Sequence, residues 1–448
     1  VLIDLNTDKR LLQNLEGPNV FAFEDDATRP GCLERARVHA AKHVFIATGN
    51  DSTNVEITSQ VVHALRKRGR SAKRGRLACH VHLVDGQTTE LFRRNHVFKE
   101  AEALVDIQAF NVYDNAARLF WRRNLMARGP LAPNSTCRMH VVIGGMGQMA
   151  EAILLRIARS GHYANGRKPA VTFVAPGAEA AWSRMSLRHP MVGALCDVAT
   201  IEGDVSMPDV ATRIKKLLAA EGEIGSIVLC ADQDHENFAT ALQLSSTLDR
   251  ADIPIRARFS LANGLAELLD AERSEASLAR QIDAFGLVSE CCSLDAVLEG
   301  SLFQFAREFH QAYVQARLLA GVKPSEDAAL KDWEALDEQY RDSNRELAEH
   351  MELKLRTFGY SGEPKAGKLP QSFTEQQILV LARMEHARWC AERFLAGWTF
   401  APPPKNPLRR TSPYLVPWEE LDESIKTIDA DLVREIPSIL AQVMPVAG

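Results

Sequence analysis

Val141-Val142-Ile143-Gly144-Gly145-Met146-Gly147-Gln148-Met149-Ala150 is the stretch that decides the fold of the central part of this 448-residue chain. Its apolar half predicts a buried strand, its glycines a tight turn, and the residues from Gln148 the start of a helix. Gly145, Gly147 and Ala150 satisfy the pattern G-x-G-x-x-G/A, in which small residues permit a tight turn and close approach of the backbone to a pyrophosphate. The stretch therefore predicts a nucleotide-binding α/β domain.

The strand after this helix lacks one residue that dinucleotide binding usually needs. Val171–Ala175 ends in Ala175-Pro176, without the aspartate or glutamate that contacts a ribose. Two hypotheses stay open for this lobe: a site for NAD(H) or an adenine nucleotide, and a structural lobe without a nucleotide.

The alternation of strands and helices occurs twice along the chain, which predicts parallel βαβ units in tandem. The first copy includes a helix predicted over Pro30–Ala41. We predict an α/β fold class: two tandem Rossmann-like doubly wound parallel-sheet domains, followed by a small, mostly α-helical domain. The predicted domains cover residues 1–125, 138–322 and 326–448, and the predicted strands are 20–23, 43–47, 77–84, 139–143, 171–175, 198–202, 226–231 and 255–259.

Charge and composition exclude several classes of protein. The net charge of −5 gives no reason to expect nucleic acid as a partner. The cysteines form no C-x-x-C pair, and no apolar run approaches the roughly 18 residues that span a bilayer. These features predict a cytoplasmic protein with reduced thiols.

The first copy carries a motif of known type. Asp25-Asp26-Ala27-Thr28, followed by Val44–Thr48, resembles the nucleotide-binding lobe of potassium-uptake regulators and channel gating rings, called TrkA-N or RCK. The usual motif reads Gly-Asp-Ala-Thr, and Asp25 replaces its glycine. The resemblance implies that Asp4 meets ribose hydroxyls and that Asp26 and Ala27 lie beside an adenine.

Two further features of the chain bear on that resemblance. In the second copy, Asp204 corresponds to the aspartate of the motif. The first strand and the Gly-rich turn of the first copy do not occur in the chain as numbered. Turn and capping chemistry is the alternative role for Asp4 and Asp26.

The C-terminal part contains a second group of unusual residues. Thr374 and Gln377 predict a capping box at the start of a long helix. On that helix His386, Trp389 and Arg393 share one face by their spacing. The loop and helix that follow add three aromatic side chains, those of Trp398, Tyr414 and Trp418.

These residues resemble the ryanodine-receptor repeat, or RyR domain, of bacterial multidomain proteins. An aromatic wall with a histidine and an arginine suits a planar base and a phosphate, and we predict a ligand site there. A similar helix often accompanies RyR modules, so Ser343, Asn344 and Arg345 join the predicted site. The alternative is that the aromatic residues form the core of a small helical domain.

No catalytic or metal-binding constellation stands out, so the leading hypothesis is a regulatory protein and not an enzyme. The resemblances imply that it senses a small nucleotide-like ligand and forms a homo-oligomer. One alternative is the cytosolic gating part of a potassium channel, with a membrane segment before Val1. An NAD-dependent oxidoreductase is the third and weakest hypothesis.

Overall fold

A computed structural model describes residues 1–6, 19–69, 75–95, 98, 100–248, 253–261, 264–265, 282–298, 300–325, 327–360 and 369–443. The chain divides into two compact units, residues 1–115 and residues 116–448. Among the described residues, no helix is both long and apolar enough to cross a membrane.

The first unit contains two parallel sheets. A two-stranded sheet pairs β1 (Leu2–Asp4) with β2 (Ala22–Glu24), and a three-stranded sheet has the order β3 (His43–Ile46), β4 (Leu77–His82), β5 (Val105–Phe110). The helices are α1 (Cys32–Arg35), α2 (Asp51–Arg68), α3 (Gly86–Arg94) and α4 (Val112–Phe120), which continues past the unit boundary.

The core of this unit lies between the second sheet and α2. Alternate strand residues such as Cys79 and Val81 are buried against Ile57, Val61 and Leu65, which recur every four residues along the helix. The unit thus confirms the parallel α/β fold that the alternating pattern predicted.

The helix predicted over Pro30–Ala41 is shorter than expected. It forms α1 and then a 3-10 turn at Val38–Ala40, because the backbone is left-handed at Gly31 (φ 84°) and at Arg37 (φ 58°). A left-handed residue interrupts a right-handed helix on each side of α1.

The second unit is built on one six-stranded parallel sheet with the strand order β11-β10-β9-β6-β7-β8. The strands are β6 (Arg138–Gly144), β7 (Ala170–Ala175), β8 (Asp197–Glu202), β9 (Glu223–Leu229), β10 (Ile255–Arg258) and β11 (Ile282–Phe285). The helices that follow and connect them are α5 (Gln148–Ser160), α6 (Ala178–Arg188), α7 (Val192–Leu195), α8 (Pro208–Leu218), α9 (Asp234–Leu248), α10 (Val288–Cys291) and α11 (Leu294–Leu298).

The direction of winding reverses between β6 and β9, which are neighbours at the centre of this sheet. Ligands of doubly wound sheets bind at such a reversal, beyond the carboxyl ends of the strands. Gly145 follows β6 at this point with φ 114°, and a Cβ there would lie 3.2 Å from the carbonyl oxygen of Cys230 after β9. The turn therefore requires glycine at this position.

Asn237 on α9 fixes the carboxyl ends of β9 and β10. Its side-chain oxygen accepts from the Ala231 N–H (2.9 Å), and its amide donates to the Arg258 carbonyl (3.0 Å). Three residues earlier, Asp234 accepts from the Ser260 N–H (2.9 Å). These bonds occupy backbone groups that the sheet ladder leaves free.

The first unit repeats this arrangement on α2. The Asn54 oxygen accepts from the Thr48 N–H (2.9 Å) and its amide donates to the His82 carbonyl (2.8 Å). Asp51 accepts from the Val84 N–H (3.0 Å). The pattern D-x-x-N at the start of the helix thus performs the same task in both copies, as expected for a tandem duplication.

A helical region completes the second unit. Thr374 and Gln377 form the predicted capping box at the start of its longest helix, so this prediction is confirmed. That helix, α14, packs against α5 of the six-stranded sheet as well as against α13 and α15. The helices are α12 (Gly300–Leu319), α13 (Glu338–Thr357), α14 (Glu375–Leu395), α15 (Glu423–Arg434) and α16 (Ile436–Val443).

Candidate functional site

The Gly-rich turn of the second unit has an acidic neighbour. A Cβ on Gly147 would lie 3.8 Å from an Asp232 carboxylate oxygen, and Arg258 pairs with that carboxylate at 3.1 Å. A phosphate bound at the turn would meet the negative charge of Asp232, offset in part by Arg258. The third small residue of the motif, Ala150, is fully buried and lets α5 pack closely on the sheet.

Glu202 holds a position that sequence reasoning did not identify. It lies beside Ala175 in the register of β7 and β8, and its carboxylate accepts from the backbone N–H groups of Gly177 and Glu179 (2.8 Å each). Hydrogen bonds from these amides lower the pKa of Glu202. An acid is therefore present near the expected ribose position, but it comes from the next strand and caps α6.

The motif aspartates of the two copies make equivalent local turns. Asp26 accepts from the Thr28 N–H (2.9 Å) and hydroxyl (2.6 Å). Asp204 accepts from the Ser206 N–H and hydroxyl (2.8 Å each). Hydrogen bonds from Thr28 also lower the pKa of Asp26. Both carboxylates are thus engaged in Asx turns.

The other two predicted residues of the first copy have local roles. Asp4 accepts from the Asn6 N–H at 2.9 Å, just after β1. Ala27 packs at the margin of the core of the first unit. These contacts are those of turn and packing residues.

In the C-terminal region, predicted residues from two helices and a loop converge around Arg393. The guanidinium carbon lies 5.7 Å from the centre of the Trp389 ring and 5.2 Å from that of Trp398. Only 4% of Arg393 is exposed, and among the described residues its buried Nε has no hydrogen-bond acceptor. Lys405, which sequence reasoning missed, places its Nζ 5.7 Å from the Trp398 ring centre. We call Trp389, Arg393, Trp398 and Lys405 the Arg393 cluster.

The helix α13 brings one further predicted residue close to this cluster. The Ser343 hydroxyl donates to Glu392 at 2.8 Å, and Glu392 lies 3.5 Å from the Arg393 guanidinium. Asn344 and Arg345 instead bond within their own helix, to the Tyr340 carbonyl and to Glu338 and Asp342. Ser343, Asn344 and Arg345 are consecutive residues of one helix. Their spacing in the sequence could not show which of the three faces the Arg393 cluster.

His386 is turned into the domain and not toward a ligand surface. Its Nε2–H donates to the Val416 carbonyl (2.8 Å), and Nδ1 lies 3.5 Å from the Asp429 carboxylate on α15. Burial acts to lower the pKa of His386, but Asp429 and the Cys390 and Val416 contacts outweigh it and raise the pKa to about 10. Although Cys390 Sγ lies 3.4 Å from Nε2, that nitrogen is committed to a carbonyl, so the arrangement lacks a free base for a nucleophilic thiol.

The two remaining predicted aromatic residues, Trp418 and Tyr414, both lie near His386 and Cys390. Trp418 is buried against His386, with ring centres 5.9 Å apart, and Lys426 Nζ lies 5.9 Å from the Trp418 ring centre. The Tyr414 carbonyl lies 4.0 Å from Cys390 Sγ, on the same side of α14 as His386. The predicted aromatic wall is therefore two clusters, which Trp389 connects because its ring stacks on His386 at 6.2 Å.

Buried ion pairs connect α13 and α14 to each other. Lys354 on α13 pairs with Glu385 on α14 at 2.7 Å, and both are almost fully buried. Burial acts to raise the pKa of Glu385, but Arg388 and Lys354 hold it at about 2. Arg388 also bonds Glu392 at 2.7 Å, so this chain of charges reaches the margin of the Arg393 cluster.

Two stretches of this chain match models of known domain families. Residues 367–443 match the model of the RyR domain, and residues 1–82 match that of the TrkA-N domain. Both matches agree with the resemblances found in the sequence, RyR in the C-terminal part and TrkA-N in the first copy. A comparison with curated proteins finds no match.

Two solved structures of GsuK are similar in part. A GsuK mutant has 14% identity and a TM-score of 0.41 over 66% of this chain. GsuK bound to ADP has 15% identity and a TM-score of 0.39 over 67% of this chain. The chain spans 61% of the length of each of these structures.

Proposed function

We propose that this chain is the sensing part of a regulatory protein and that it has no catalytic activity. Its RyR domain binds a nucleotide-type ligand at the Arg393 cluster. The single observation that supports this site is the convergence of Trp389, Arg393 and Trp398 with Ser343, from two helices and a loop. Two indole rings flanking a guanidinium provide both a stacking surface and a charge.

The signal passes from the RyR domain to the second lobe in this proposal. Two ion pairs support the idea: Arg156 of α5 bonds Glu346 (2.9 Å) and Glu349 (2.7 Å) of α13. Helix α5 begins at the Gly-rich turn, and α13 carries Ser343. A ligand with different affinity for two arrangements of these helices would shift the balance between them. Cytoplasmic location and homo-oligomerisation belong to the same proposal.

The TrkA-N match favours a second candidate, the gating portion of a potassium channel or transporter. The two candidates differ in what the gene encodes before Val1. Two apolar stretches of about 20 residues each would support the channel. A start codon there would count against it.

Calorimetric titration of the whole chain with ATP, ADP, AMP, NAD and cyclic AMP tests the sensor proposal. We expect at least one ligand to bind, and Trp389→Leu to weaken it at least about tenfold, a loss typical of one aromatic stacking contact. The control is Trp182→Leu, because Trp182 is another partly exposed tryptophan, stacked on Phe173 outside the RyR domain. Absence of binding by every ligand, or equal affinity in the Trp389 variant, would refute the proposed site.

A further inference from the structure

The Arg393 cluster has more positive charge than its neighbours neutralise. Two cations, Arg393 and Lys405, lie within 6 Å of the centre of one indole ring, at 5.2 Å and 5.7 Å. Like charges brought together beside an apolar ring repel each other unless an anion lies close by. The nearby carboxylates therefore determine whether the cluster is balanced.

Glu392 is the nearest carboxylate, but it is already shared. It accepts from Arg388 at 2.7 Å and from Ser343 at 2.8 Å, and its distance to the Arg393 guanidinium is the longest of the three at 3.5 Å. Arg388 is almost fully buried and depends on Glu385 and Glu392 for its own neutralisation. Glu392 can therefore supply only part of the charge that Arg393 needs.

Asp327 is the second carboxylate in electrostatic reach of Lys405, and it has partners of its own. Its carboxylate accepts from the Tyr313 hydroxyl (2.7 Å) and the Ala329 N–H (2.9 Å), and Arg317 lies 3.9 Å away. Among the described residues, no carboxylate forms an ion pair with Lys405. Within the part of the chain that the structure describes, the Nζ of that exposed lysine and the buried Nε of Arg393 thus both lack an anionic acceptor.

We infer that the ligand of the RyR domain carries an anionic group, a phosphate or a carboxylate, held between Lys405 and Arg393. The inference rests on the proposed function, and it adds the residues that hold the anionic group of the ligand and the residue that selects it. Arg393 is fixed between two rings and is the buried anchor. Lys405, on the loop after Trp398, is the specificity residue, since an exposed lysine lies where a charged ligand would enter. A neutral nucleoside would stack but would leave both cations unneutralised.

Binding of AMP, adenosine and inorganic phosphate to the whole chain, followed by tryptophan fluorescence and calorimetry, tests this inference. We expect AMP to bind at least about tenfold more tightly than adenosine, as a charge-assisted contact predicts. Lys405→Gln should weaken the binding of AMP and so reduce that difference, while Arg393 keeps part of the preference. The matched control is Lys426→Gln, because Lys426 also lies over a buried tryptophan of this domain but at the other cluster.

The possible outcomes separate the inference from the proposed function. Equal affinity for AMP and adenosine, or an AMP affinity that Lys405→Gln does not change, overturns the inference and leaves a nucleotide-type site standing. Phosphate binding that depends on Lys405, without binding of AMP or adenosine, supports the anion site and overturns the nucleotide ligand. If none of the three compounds binds, the inference is wrong, and the proposed function is wrong as well if ATP, ADP, NAD and cyclic AMP also fail to bind. Succinate in place of phosphate distinguishes a carboxylate preference from a phosphate preference.

Discussion

Single residues in this chain differ in role even when their sequence context looks alike. His386 and Arg393 lie on one helix face, yet His386 is bound to Asp429 and Val416, whereas Arg393 keeps a donor without an acceptor among the described residues. Both nitrogens of His386 face oxygen acceptors, which stabilises the imidazolium form. The same side chain that looked like a recognition group therefore joins α14 to α15.

The raised pKa of His386 predicts a particular dependence of stability on pH. A group whose pKa rises on folding contributes stability that is complete below its unfolded value, near 6.5, and that is lost as the pH rises through about 10. We expect wild type to lose at least about 1 kcal/mol more than His386→Gln between pH 6 and pH 10.5. Denaturant unfolding at several pH values measures this. A difference between the two proteins that stays constant with pH would contradict the prediction.

At the scale of secondary-structure elements, the duplicated D-x-x-N pattern explains how each lobe joins a strand, a turn and a helix. The asparagine is almost fully buried in both copies, Asn54 and Asn237 alike, and bonds two separate backbone segments. Its removal leaves buried backbone groups without partners, which costs more than a lost surface hydrogen bond.

We expect Asn237→Ala to lower the free energy of unfolding of residues 116–448 by about 2–4 kcal/mol. Tryptophan fluorescence reports on this unit alone, because all six tryptophans of the chain lie in it. Glu236→Ala on the same helix turn is the control, with an expected effect within about 0.5 kcal/mol, since that residue is exposed. Equal effects of the two substitutions would show that the asparagine does not hold the strands together.

At the scale of the whole second unit, buried ion pairs hold the helical region against the sheet. Arg156 on α5 is 1% exposed and bonds Glu346 (2.9 Å) and Glu349 (2.7 Å) of α13. Arg118 adds a contact to Glu349 at 2.6 Å. Such pairs stabilise less than apolar packing of equal size, but they fix which surfaces meet.

Arg156→Met should therefore be costly, because Glu346 and Glu349 stay buried and lose the cation that they share. Arg118 and Arg159 remain close to them, at 2.6 Å from Glu349 and 3.2 Å from Glu346. We expect a loss of about 3–5 kcal/mol in the free energy of unfolding, measured by tryptophan fluorescence in denaturant. Arg188→Met is the matched control. Arg188 on α6 pairs with Glu151, which lies on α5 as Arg156 does, but Arg188 is partly exposed. Its loss should therefore cost less than about 1 kcal/mol. A similar cost for both variants would show that burial of the pair does not matter.

The sequence by itself determined most of the strands and helices and the α/β fold class. Strand and helix periodicity, the glycines after β6 and the capping box at Thr374 are local signals, and each acts within a few residues of the chain. They predicted the parallel lobes, the helical C-terminal domain and the two family resemblances. The prediction of one helix over Pro30–Ala41 was wrong, because two residues with left-handed backbone, Gly31 and Arg37, interrupt it.

Only the tertiary structure decided which polar residues are free to bind a ligand. The partner of Arg156 lies 190 residues away, and Asp429 lies far from His386 in sequence, so no local pattern reveals either pair. Charged residues at helical spacing look the same whether their face meets water or another helix. Long-range packing places a carboxylate beside each of His386, Lys354 and Arg156 inside the protein. Among the described residues, it leaves Arg393 and Lys405 beside one indole ring without a full counter-charge.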